Sequence, residues 1–257
     1  MNQELERLVN QAGQLCNQQR YRQAEPLCIK AVNIKVEKED GPTHLMARFL
    51  LAQAYSGQGR TAEEDKTYQS ILDELTTYPD DWMEATVLQS YIQFSLRQKN
   101  DAKAIALAEQ FLSRFPSQFQ KRNCKITDLT RIASNLEARR LDQEADKFYK
   151  LALDSQTVSG MPKRIRIQEE VSILTQWAPS KIRRDEGADL ISYVDKNMAD
   201  IRGEPIYMFE MHTLQRLLLE LTGSSKEKAA VAQSKHEVEK FRNQKTDETI
   251  KLVEHLN

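Results

Sequence analysis

Glycine and proline are scarce in this chain, 8 and 7 of its 257 residues, and period-two alternation of apolar and polar side chains never runs far. A sheet protein needs both signals, so a β architecture is set aside. No sign of charge dominates: 37 Lys and Arg face 38 Asp and Glu, leaving a net charge of −1. A general nucleic-acid binder needs a basic excess to neutralise phosphates, and that class is disfavoured. No apolar run approaches the roughly 20 residues needed to span a bilayer. The first residues, Met1-Asn2-Gln3-Glu4-Leu5, lack the basic start and apolar stretch of a signal peptide. Cysteines are few, odd in number and dispersed (Cys16, Cys28, Cys124), which is no disulfide framework. A soluble protein of the cytoplasm is expected, without a membrane partner.

The usual marks of chemistry are also missing. The chain has no Gly-rich phosphate loop, no G-x-S-x-G elbow and no H-E-x-x-H helix. Cys16 and Cys28 fall on neighbouring predicted helices, but zinc wants about four ligands at short spacing, and a second pair is lacking. Glu63 with Glu64, and Glu137 with Glu144, have no histidine beside them and read as solvated helix charge. Structural roles are expected for His44, in a loop, and for His212, beside Met211 and Leu214; His236 and His255 lie on a charged stretch. No catalysis, metal or cofactor is expected.

What is present is a helical composition, rich in Ala, Leu, Gln, Glu, Lys and Arg, and a period. Sliding the sequence by 40 residues aligns Ala12, Ala52 and Ile92, then Ala24, Glu64 and Ala104, then Cys28, Tyr68 and Ala108, and then Ala31, Ile71 and Phe111. A further step of 41 reaches Ala133, Leu136, Ala145, Tyr149 and Ala152. Within a unit the slots step by three, nine, four and three, which puts a small and a large residue on one face of a first helix and three more on one face of a second. Small residues let the helices of a hairpin approach, and large ones fill the space between hairpins. One hairpin cannot bury its apolar face alone, so hairpins must stack. Breaks fall at Asp40-Gly41-Pro42-Thr43, Tyr78-Pro79-Asp80-Asp81, Phe115-Pro116-Ser117 and Ser159-Gly160-Met161-Pro162.

Gln18-Gln19-Arg20-Tyr21-Arg22-Gln23-Ala24-Glu25-Pro26-Leu27, Gly41-Pro42-Thr43-His44-Leu45-Met46-Ala47 and Leu51-Ala52-Gln53-Ala54-Tyr55-Ser56-Gly57-Gln58-Gly59-Arg60 are three stretches that resemble kinesin-light-chain-type tetratricopeptide repeats. The first is similar to the start of their second helix, the second to their inter-repeat loop, and the third looks like the next first helix and turn. Glu64 departs from the family by standing in a small-residue slot, and the slot for its trademark tryptophan holds Leu8, Arg48, Leu88 and Leu129. The resemblance implies an all-α, right-handed α-solenoid of tetratricopeptide-type hairpins, with four of them over residues 1–160. Residues 161–223 read as a degenerate hairpin (162–177 and 180–197) followed by a buried helix carrying Leu214, Leu217, Leu218 and Leu221. Residues 224–257 read as a charged capping helix with Val231, Val238, Phe241, Leu252 and Leu256; Lys235 and Lys245 interrupt any coiled-coil seam.

The same resemblance implies that first helices line a concave groove. The inward positions then include Val9, Gly13, Asn17, Phe49, Gln53, Gln89, Gln93, Arg97, Thr130, Ser134 and Glu137. Side-chain amides both donate to and accept from a peptide backbone, so Gln53 and Gln93, one repeat apart, suit an extended segment, with Phe49 and Arg97 supplying preference. Val9, Gly13, Leu50, Thr86 and Ser90 stand where family members that clamp a C-terminal carboxylate carry cations and asparagine, which disfavours that ligand. A scaffold binding a protein or peptide, itself a monomer or weak homodimer, is the expected function. The alternative is an RNA-binding helical repeat using the basic cluster of Lys163, Arg164, Arg166, Lys181, Arg183 and Arg184.

Overall fold

The computed structural model describes residues 2–35, 37–114, 126–156, 162–223 and 225–254. These form twelve α-helices and no strand: α1 Gln3–Asn17, α2 Tyr21–Val32, α3 Gly41–Gly57, α4 Thr61–Leu75, α5 Asp81–Arg97, α6 Asp101–Arg114, α7 Ile126–Ala138, α8 Asp142–Gln156, α9 Lys163–Arg183, α10 Ala188–Ile201, α11 Met208–Thr222 and α12 Ser225–Glu254. The fold class is all-α, with paired helices stacked as in an α-solenoid. Two compact units divide it, Met1–Arg140 and Leu141–Asn257, so the division falls inside the segment read from sequence as a fourth hairpin. Cys124, Phe115-Pro116-Ser117, Ser159-Gly160-Met161, His255 and Leu256 lie outside the described residues, as do the side chains of Phe241, Lys245 and Leu252.

In the first unit α1, α3, α5 and α7 pack in succession on one another, while α2, α4 and α6 pack beside them. The slots explain this layering. Ala12, Ala52, Ile92 and Ala133 are each fully buried, as are Ala24 and Ala104, Cys28 and Ala108, Ala31, Ile71 and Phe111. The large residues meet as rings, with Tyr68 lying 5.2 Å from Tyr91 and 6.2 Å from Phe94. Rings at such separations add to the burial of apolar area.

The period also appears in the backbone. Gln19, Gly59, Lys99 and Arg140 all have left-handed φ, at 59°, 71°, 58° and 63°. Each follows a first helix. The residue after each of the first three reaches back across the last turn, Arg20 N–H to Leu15 O (2.8 Å), Arg60 to Tyr55 (3.0 Å) and Asn100 to Ser95 (2.9 Å). Such a bond closes a Schellman turn, which satisfies carbonyls that the helix end would leave bare. Only Gly59 takes this conformation without steric cost.

In the second unit α9 packs on α8, α10 and α11, and α11 packs on α12. The expected break near residue 178 is absent. Helix α9 runs through Pro179 to Arg183 and ends in the same kind of turn, with Asp185 at φ 58° and Glu186 N–H bonded to Lys181 O. Proline removes one helical hydrogen bond, but the side chains around it tie the helix to α8. Trp177 Nε1 donates to Asp146, Ser180 donates to Asp142 (3.0 Å), and the Trp177 ring stacks on Tyr149 at 5.7 Å. Pro162 and Gly223 bound α9 and α11, and Leu214, Leu217 and Leu218 are buried as expected.

Candidate binding cleft

Three columns of residues run along α1, α3, α5 and α7, one helical turn apart. Val9, Phe49, Gln89 and Thr130 are buried at 7 to 9 % exposure. One turn on, Gly13, Gln53, Gln93 and Ser134 are half-buried, and a turn further Asn17, Gly57 and Arg97 are exposed. The first column is covered by neighbouring helices; only the second and third reach the surface. This corrects the expectation for Phe49, whose ring lies 6.5 Å from Tyr68 in the core, and for Gln89 and Thr130. Gln89 Nε2 is buried without a hydrogen-bond partner among the described residues. Thr130, Ser134 and Glu137 sit on α7 and do not line the cleft described next.

Gln53, Gln93 and Arg97 do come together. With Asn17, Ser56 and Ser90 they line an open cleft of about 380 Å³ in the first unit. The second helices contribute Tyr21 and Tyr68, which reading first helices alone missed. Tyr21 is placed by Gly57: a Cβ at that glycine would collide with the tyrosine ring. The sequence carried a signal for this pair in Gly57 ending α3 and Tyr21 opening α2. Cys16 also reaches the cleft, and its Sγ faces Leu50 O at 3.8 Å. Burial raises its pKa and pushes the Cys28 thiol up to about 12, so neither sulfur is a poised nucleophile.

One side of the cleft is charged. Arg97 Nη2 donates to Glu64 Oε1 at 2.9 Å and to Ser56 Oγ at 3.1 Å. Glu64 is 2 % exposed and Arg97 is 52 % exposed, so a buried carboxylate has its counter-ion at the cleft surface. Burial raises the Glu64 pKa, and the Arg97 charge with hydrogen bonds from Ser56 and Arg97 offsets this only in part. The acid that departs from the small-residue slot is therefore one half of a pair whose other half faces solvent.

Other residues singled out by sequence have structural partners. His44 Nδ1 lies 2.9 Å from Glu74 and its Nε2 lies 2.9 Å from Val32 O, which ties α3 to α4 and to the end of α2. His212 Nδ1 lies 2.7 Å from Ser234 Oγ. No group of three potential metal ligands occurs among the described residues. No described helix is long and apolar enough to cross a membrane.

In the second unit the basic cluster is largely neutralised. Lys163 pairs with Glu204, and Arg166 with Glu170 and Asp200. Arg184 Nη2 meets both oxygens of Asp146 at 2.8 and 2.9 Å, and Arg183 approaches Asp142 at 3.6 Å. Lys181 is 6 % exposed and lies 3.0 Å from each of Asp146, Glu186 and Asp189. Burial opposes its charge, yet hydrogen bonds to those carboxylates leave its pKa raised.

No family model matches the chain, and no curated protein matches it. Among solved structures it is similar to a crystal structure of BtubC (BKLC) from P. vanneervenii, at 14% identity over 91% of each chain with a TM-score of 0.46.

Proposed function

We propose that this protein is a non-catalytic interaction module of tetratricopeptide type, and that the cleft of its first unit holds an extended segment of a partner protein. The observation that carries the reading is the convergence of Gln53, Gln93 and Asn17 with two serine hydroxyls in one open cleft. Amides and hydroxyls offer both donors and acceptors, which match a peptide backbone at successive residues. A volume of about 380 Å³ suits a few residues of such a segment. The RNA alternative draws less support, because Lys163, Arg166, Lys181, Arg183 and Arg184 already face carboxylates of their own unit. A phosphate backbone would have to displace them.

The test places a photoreactive amino acid at Gln53 or Gln93 in cells, and a second one at the exposed Arg164. The reading expects protein adducts from the cleft positions that disappear when the neighbouring glutamine is replaced by alanine. Adducts to RNA from position 164, with none from the cleft, would reverse the choice. The replacements Gln53→Ala and Gln93→Ala leave the melting temperature in place, because neither side chain is part of the core.

A further inference from the structure

Resting on that reading, the cleft also carries an asymmetry that its amides do not explain. Among the described residues that line it, Arg97 is the only charged one. Both of its hydrogen bonds leave from Nη2, so the N–H groups of Nε and Nη1 remain for a ligand. The carboxylate behind it, Glu64, is enclosed, and its counter-ion is within a ligand's reach. We infer that the segment taken by the cleft carries an acidic side chain, that its carboxylate accepts from an N–H group of Arg97 that Nη2 leaves open, and that Glu64 takes up one proton from solvent as it binds.

The reason is competition for one positive charge. Two carboxylates sharing a guanidinium repel each other, and the one that water cannot reach is the one that neutralises. Burial already favours the neutral form of Glu64. Among the described residues no second cation stands ready to replace Arg97. From α3 the polar neighbour is Ser56, while His44 and Arg48 of that helix hold Glu74, and Tyr55 lies under Arg60. On α4 itself Tyr68 is buried and uncharged, and Asp65, a like charge, is taken by Lys103 of α6 and Tyr91 of α5. Glu84 of α5 pairs with Arg114.

The probe is N-acetyl-Ala-Glu-Ala-amide, with its Gln counterpart as control, added at millimolar concentration to the full chain. NMR follows the side-chain amides of Gln53 and Gln93 and the Glu64 carboxyl carbon over pH 4.5–8. The expected result is that the Glu peptide perturbs the amides more than the Gln peptide and raises the Glu64 midpoint. Its affinity should strengthen by up to about tenfold for each pH unit lowered between the bound and the free midpoints. Glu64→Gln should abolish that pH dependence, and Arg97→Gln should abolish the preference for Glu over Gln. Equal effects of both peptides, or a Glu64 midpoint that does not move, overturn the inference and leave the cleft reading standing. If neither peptide touches the cleft amides, both fall.

Discussion

Replacing Arg97 by alanine tests the charge arrangement of the first unit directly. The change strips the counter-ion from a carboxylate that is 2 % exposed. Removing one partner of a fully buried pair costs about 3–5 kcal/mol. Arg97 is half in water, so screening lowers the figure to about 2–3 kcal/mol at neutral pH. For a chain of this length that is a fall in melting temperature of roughly 4–12 °C. Urea unfolding followed by circular dichroism measures it, and amide exchange should place the loss in α4 and α5. The pH dependence has a definite sign. Burial raises the folded-state pKa of Glu64 above its unfolded value, and loss of Arg97 raises it further. A carboxyl shifted upward contributes stability below the unfolded pKa, near 4.3 for glutamate, and loses it as pH rises through the folded value. The deficit of Arg97→Ala should therefore shrink as pH falls toward about 4. Adding Glu64→Ala restores the small side chain found at Ala24, Ala104 and Ala145 and removes the stranded charge, so the double variant should recover to within about 1 kcal/mol of the parent. Unaltered stability of Arg97→Ala, or a double variant no better than the single, would refute the reasoning.

Two further outcomes follow from the backbone and from the second unit. Gly59 has φ 71° and open space where a Cβ would stand, so Gly59→Ala should cost about 1 kcal/mol through backbone conformation alone. Lys99→Gly, at the matching left-handed position, should gain about 0.5 kcal/mol after the extra entropy of unfolded glycine. Urea midpoints that move in the same direction for both would contradict the shared turn geometry. Lys181→Met keeps the stem but leaves Asp146, Glu186 and Asp189 without their common ammonium. A loss of about 3 kcal/mol is expected, with amide exchange accelerating in α8 to α10 while Gln53 and Gln93 signals stay fixed.

A dependable part of the sequence reading was the one set by chain geometry. A small residue every 40 positions, with partners at fixed offsets on a helical face, leaves little choice of packing, and those slots are the buried ones. The breaks between hairpins were legible, as at Asp40-Gly41-Pro42-Thr43 and Tyr78-Pro79-Asp80-Asp81, though the left-handed residues of the turns inside each hairpin were not, because Gln19, Lys99 and Arg140 carry no glycine to announce them. In the second unit Pro179 misled: a proline reads as a helix end, and the contacts of Trp177, Ser180 and Lys181 with α8 keep the helix going.

For the cleft, helical periodicity could say which residues share a face and could not say how deep each lies. Residues one turn apart on α1, α3 and α5 point within a narrow arc, and only the neighbouring helix decides which of them is covered. That is why Phe49 and Gln89 fell into the core while Gln53 and Gln93 stayed at the surface. The sequence alone determined that helices pair and that pairs stack, because apolar side chains repeat at a helical spacing and a single hairpin cannot hide them. Only the tertiary structure decided that Glu64 and Arg97, 33 residues apart, form one pair, since a charge's partner depends on distances across helices that no local pattern records.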